Sequence, residues 1–220
     1  TRLPTIHYKR VFQLNRFLII EMEHYLNFSN TNIWSEIWPE LALALAAIVL
    51  LGIDLFRKSD KPIVSIGSLA IVFQAGLLIF HLFDYLAWHH TFDRKTFSGM
   101  LHQGIQGDVM RTFFLLSSLL VSVLGHQYLK NKKLRAGEFH HLTMLATAGL
   151  MLLVQSNHFI MLFVALETVA VCFYTLVAYN RESAKSLEAG IKYLIFGALS
   201  SSLLLFGIVL LYGVAGNPEA

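Results

Sequence analysis

Charge is scarce in this chain: of 220 residues only 14% are Asp, Glu, Lys or Arg, where an ordinary soluble domain carries about 25%. Cysteine is nearly missing, Cys172 being the single example, so no disulfide framework or thiolate metal cluster can be built within the chain. Four prolines, 14 glycines and the lack of any low-complexity tract exclude a collagen-like or disordered protein. No Walker loop, Rossmann glycine fingerprint or nucleophile elbow occurs, so redox or nucleotide chemistry is not expected of this chain itself. What is plentiful is apolar: 55% of the residues are hydrophobic and the mean hydropathy is +0.58. One soluble core cannot hide that much, and the charges are bunched between long uncharged runs, so the expected solvent is a lipid bilayer. A net charge of +3 and a pI near 9.0 could suggest nucleic acid, but the basic residues fall in short loops between apolar runs, where they set membrane orientation.

A helix needs about 20 apolar residues to cross the hydrocarbon layer. Six segments qualify, which predicts an all-α, polytopic membrane protein. The first spans Ile37 to Phe56, with Ser35 as N-cap, Pro39 in the first turn, and Glu40 and Asp54 close enough to the ends to reach headgroups. The second runs from Pro62 to Phe83 and the third from Val109 to Leu129, with Arg111 at its edge. Phe139 to Asn180 is too long for one crossing and is divided by the polar Gln155-Ser156-Asn157-His158, giving a fourth helix and a fifth from Phe159 to Tyr179. The sixth runs from Leu187 to Tyr212. Alternate loops carry nine basic residues (Arg57, Lys58, Lys61, Lys130, Lys132, Lys133, Arg135, Arg181, Lys185) against three (Arg94, Lys95, Arg111). The basic set belongs in the cytoplasm, so the first helix starts outside, with Trp34, Trp38 and Trp88 at the outer interface. Arg2, Lys9, Arg10 and Arg16 break this pattern, and the expected translation start is Met22, a genuine interfacial leader being the alternative. The expected organisation is an extension and outer-side leader over 1–36, the first three helices over 37–138, and the truncated start of a second unit over 139–220.

Two ionisable residues lie inside spans, where a charge costs about 2.5–3.5 kcal/mol on insertion scales. Glu167 sits about 18 Å by helical rise from Tyr179, too deep to snorkel, whereas Lys192 is only about 7–8 Å inside its helix end. Tyr174 returns to the face of Glu167 two turns later, near the depth of Lys192, so the three are expected to line one polar track. Desolvation disfavours a charge and a nearby opposite charge restores it, which is how such a track can switch protonation. The plainer alternative is that these side chains only glue helices together, worth about 1–2 kcal/mol. Gly190, Gly197 and Ser201 share the face of the sixth helix opposite Lys192 and are expected to pack against another helix. Ten histidines raise the question of haem or metal. His81 and His126 differ in depth, His126, His140 and His141 are expected to be interfacial, and His89, His90 and His102 with Asp84 and Asp93 share a loop expected to be solvated, so neither group is expected to be used.

The stretches Phe163-Val164-Ala165-Leu166-Glu167-Thr168, Tyr174 to Tyr179, Ser186-Leu187-Glu188-Ala189, Ile191-Lys192-Tyr193-Leu194 and Phe196 to Gly213 resemble subunit N of the proton-translocating NADH:quinone oxidoreductases, respiratory complex I. The resemblance is strong from about residue 139 to 216. Before that it rests on helix number, Pro39-Glu40 and Asp54. It implies a longer antiporter-like bundle with inverted repeats, of which 139–220 is the start, and it implies that Glu167 and Lys192, with Tyr174 between them, belong to a proton pathway coupled to quinone reduction. It further implies no cofactor in this chain, NADH, FMN, iron–sulfur clusters and quinone being handled in the assembled complex. Partners would be the other membrane and peripheral subunits and the lipid of a bacterial cytoplasmic (inner) membrane, with no nucleic acid. The rival readings are an antiporter-like subunit of a multisubunit cation/proton antiporter or membrane hydrogenase, and, in a different class, a non-catalytic helical anchor.

Overall fold

The computed structural model describes residues 34–56, 64–87, 94–132 and 137–215. The leader with its expected Met22 start, Trp88, His89, His90, Asp93 and the loop residues Arg57, Lys58, Lys61, Lys133 and Arg135 lie outside the described residues. A short 3-10 turn, Trp34–Glu36, leads into α1 (Trp38–Phe56), followed by α2 (Val64–Ala87), β1 (Arg94–Thr96), β2 (Leu101–Gln103), α3 (Ile105–Lys132), α4 (Gly137–Gln155), α5 (Phe159–Val177) and α6 (Ala184–Ala215). The six long helices match the six expected segments, and five of them are long and apolar enough to cross a membrane; α4 is the one that is not.

Each of α1 to α3 buries one stripe at spacings of three and four residues: Leu43, Ala47 and Leu50; Ala70, Gln74, Leu77 and His81; Arg111, Leu115, Ser118 and Ser122. Their other faces carry bare apolar side chains such as Leu45, Ile48, Val72, Phe83 and Leu124, the arrangement lipid favours. The core joins Leu43, Ala47, Leu50, Ala70, Leu77, Leu115, Met144, Ala148 and Met151 from α1 to α4. Helix α4 is central, packed on α1, α3 and α5, and buried at Thr143, Met144, Ala146, Thr147, Ala148, Gly149 and Met151. A helix walled by protein tolerates polar residues if they are satisfied, and Thr143 and Thr147 donate to the carbonyls four residues back at 2.8 and 2.7 Å. Gly149 lets α5 approach so closely that a Cβ there would lie 2.8 Å from Val169. Beyond α5, α6 buries only Gly190 and Ile208 among its described side chains.

The loop before α3 departs from the solvated expectation. β1 and β2 form an antiparallel hairpin, Thr96 opposite Leu101, through a turn in which Phe97, Ser98 and Gly99 all have positive φ (52°, 55° and 84°). It seals onto the α4–α5 connection: Leu101 bridges to Ser156, and Asn157 donates from its backbone N to Met100 O and from Nδ2 to Gly99 O, both at 2.8 Å. The polar tetrapeptide that divides the long apolar run therefore serves as the hairpin's docking point.

Candidate functional site

Glu167 stands ten residues before the end of α5, so both interfaces are beyond its reach, and its Oε1 is buried with no hydrogen-bond partner among the described residues. The expected track is not assembled around it. Gly190 and Gly197 draw α6 onto α5, Gly190 against Ala178 and Gly197 against the hydroxyl end of Tyr174. The small-residue face of α6 thus packs as expected, and Tyr174 lies on that face, edge-on to Tyr193 with ring centroids 5.0 Å apart. Lys192, about 140° round the helix from Gly197, is turned away. Its side chain is exposed and pairs with Glu188 one turn back. The contact that seats Tyr174 against Gly197 leaves Lys192 on the other side of α6.

A second buried polar group was not legible in the sequence. Glu40, expected to reach headgroups, is 2% exposed, and Arg111, expected at the outer edge of the third span, is 5% exposed. Arg111 Nε donates to Glu40 Oε1 at 2.7 Å, its Nη2 to Glu36 O at 2.7 Å and Gln155 Oε1 at 2.6 Å, and its Nη1 to Asp108 Oδ1 at 3.1 Å. Gln155 Nε2 donates to the same Glu40 oxygen at 2.6 Å, and Gln103 Nε2 to Gln155 Oε1 at 2.9 Å. Buried charges hold only when paired and hydrogen-bonded, and this network ties α1, α3, α4 and β2 together at one end of the bundle. The signal was a charge or amide within two turns of an end of each predicted span, which reads equally well as an interfacial anchor.

The opposite end gathers the histidines. His126 of α3 and His140 of α4 face one another with ring centroids 5.7 Å apart, and His140 and His141 are buried, where an interfacial position was expected. The cause is Gly67, which presents no side chain between α2 and the two rings. Asp54 lies against Gly137 beside them, and Arg181 Nη2 donates to Glu138 at 2.8 Å. Among the described residues no group of three or more His, Cys, Asp or Glu side chains could hold a metal ion.

Residues 156–219 match the family described as the transmembrane domain of NADH:quinone oxidoreductases and Mrp antiporters. The chain is 47% identical over 203 residues to an NADH-quinone oxidoreductase subunit N from Opitutus terrae, covering 90% of this chain and 39% of that protein. It is 38% identical over 180 residues to a subunit N from Xanthomonas euvesicatoria, covering 81% and 36%. Among solved structures, respiratory complex I from Thermus thermophilus with bound aureothin matches with a TM-score of 0.63 at 25% identity over 82% of this chain and 38% of the matched chain. The archaeal membrane-bound sulfane sulfur reductase matches with a TM-score of 0.62 at 22% identity over 82% and 37%, a likeness of fold. In sequence and fold together the chain is similar to the antiporter-like membrane subunits named NADH-quinone oxidoreductase subunit N, and it spans about two fifths of the length of those relatives.

Proposed function

We propose that this chain is part of a membrane subunit of NADH:quinone oxidoreductase that takes part in proton translocation coupled to quinone reduction, with Glu167 as its proton-carrying group. The observation that carries the reading is a carboxylate midway along α5 with a buried oxygen that no described residue satisfies. An opposite charge brought near Glu167 favours the ionised carboxylate, and its withdrawal favours uptake of a proton, so movement of one partner loads and unloads the site. Lys192 and Tyr174 serve the same pathway. Lys192, on the exposed face of α6, is available to a further helix of a longer protein, and Tyr174 fills the α5–α6 seam on the opposite face.

The helix order supports six crossings, α4 included, with the first helix starting outside and the His126–His140 end in the cytoplasm of a bacterial inner membrane. Residues 37–138 form the first three helices and 139–220 open the antiporter-like unit. Partners are the other membrane and peripheral subunits, and NADH, FMN, iron–sulfur clusters and quinone are handled elsewhere in the assembly. The antiporter or hydrogenase reading shares the fold, as the sulfur reductase likeness illustrates, but the 47% identity to a subunit N favours the quinone-linked complex. The test is Glu167→Gln in the assembled complex, in inverted membrane vesicles: pumping driven by NADH oxidation falls severalfold while subunit assembly holds. Unchanged pumping contradicts the assignment.

A further inference from the structure

Helices α2 and α3 run antiparallel, and their register is pinned at both ends, by Gly67 against His126 and by His81 Nε2 at 3.5 Å from Asp108 O. Gln74 is seven residues from both Gly67 and His81, on the same face, and so lies midway at the level of Ser118. Ser118, Ser122 and His126 follow one another at four-residue steps on α3, and His140 closes the row from α4. Gln74, Ser122 and His140 are fully buried and Ser118 nearly so. Yet both amide atoms of Gln74, both serine hydroxyls, Nδ1 of His126 and both ring nitrogens of His140 have no hydrogen-bond partner among the described residues.

Such a row is costly unless water completes it, because a buried polar group in a membrane protein has no other solvent to turn to. Serines in helices ordinarily satisfy themselves on the carbonyl four residues back, as Ser200, Ser201 and Ser202 of α6 do at 2.9, 2.9 and 2.7 Å. Ser118 and Ser122 do not, which leaves their hydroxyls for another partner. At Gly67 the geometry is more specific. A Cβ there would lie 2.6 Å from His126 Nδ1 and 2.8 Å from His140 Nε2, so the bare glycine lets both ring nitrogens converge on one place, near enough to each other for a single water standing off the backbone to bridge them.

We propose that Gln74, Ser118, Ser122, His126 and His140 bind a file of water molecules that takes up protons from the histidine end, a proton-loading site separate from Glu167. The file runs between α2, α3 and α4, while Glu167 is on α5, beyond α4. A proton arriving at the bridging water adds to the ring nitrogen of His126 or His140 that lacks one, and the water shares it between the rings. The groups facing this site are Asp54 from α1, His126 from α3, and Glu138 and His141 from α4, with Tyr179 and Arg181 beyond α5; α2 presents the bare Gly67. At the other end Arg111, held by Glu40 and Asp108, opposes a cation and closes the file.

The direct test is cryo-electron microscopy of the assembled wild-type complex at a resolution that shows water. Ordered density is expected within hydrogen-bonding distance of both rings over Gly67, and again between Gln74 and the two serines. Rings and amide bonded only to protein, with no such density, overturn the proposal. As a functional arm, which rests on the proton-translocating reading above, Gln74→Leu combined with Ser122→Ala should lower pumping severalfold at unchanged subunit content. If Glu167→Gln lowers pumping and the file variant does not, the file carries no protons and the wider reading stands. If neither variant changes pumping, both fail. Should the file variant not assemble, the density over Gly67 still decides.

Discussion

At the scale of single residues, the burial of a Glu167 oxygen was legible because the side chain is too short to reach either interface from its place in the helix. Glu40 and Arg111 were not legible for the converse reason. Near a helix end a charge can reach headgroups, and only packing reveals that these two turn inward and pair at 2.7 Å. Their loss should be expensive and asymmetric. Arg111→Ala strands a buried carboxylate and is expected to destabilise the bundle by about 3–5 kcal/mol, seen as loss of the subunit from the assembled complex on native gels. Combining it with Glu40→Leu should recover part of that loss, since the deeply buried unpaired carboxylate is then gone and only the partly exposed Asp108 lacks its partner. Wild-type assembly in the Arg111→Ala single variant would show that the network contributes nothing.

At the scale of elements, apolar run length placed all six helices, and the polar break at Gln155 to His158 placed the α4–α5 turn. The hairpin was missed because strands of three residues carry no readable periodicity, and its turn uses Phe97 and Ser98, not the Asn-Gly that ordinarily announces positive φ. The α6 stripe was read correctly as a packing face, but its partner was not identified. Had α5 been recognised as that partner, Lys192 would have been placed on the face of α6 turned away from it. That contact also yields a prediction. At Gly190 a Cβ would stand 2.5 Å from that of Ala178 and 3.2 Å from its Cα, so the clash is with backbone that cannot rotate away. Gly190→Val should push α6 from α5 at a cost of about 1–3 kcal/mol and lower the yield of assembled complex. At Gly207, where a Cβ meets nothing within 4 Å, Gly207→Ala should leave the yield unchanged. Equal yields for the two variants would contradict this account of the α5–α6 seam.

At the scale of the molecule, two polar clusters sit at opposite ends of an apolar bundle. One is cross-braced by ion pairs. The other is built from neutral-capable rings with unsatisfied nitrogens, a contrast between holding a fold rigid and holding a proton. Glu167 lies beyond the core of α1 to α4, on a helix whose far side is covered among the described residues only by α6, which leaves it open to a moving charge from a longer assembly. Its protonation should therefore change during turnover. Infrared difference spectroscopy of the assembled complex, with NADH as trigger, measures this directly: the account predicts a carboxylic C=O band that appears and disappears within the cycle and is missing in Glu167→Gln. A complex that turns over and pumps with no band change assignable to Glu167 would contradict it.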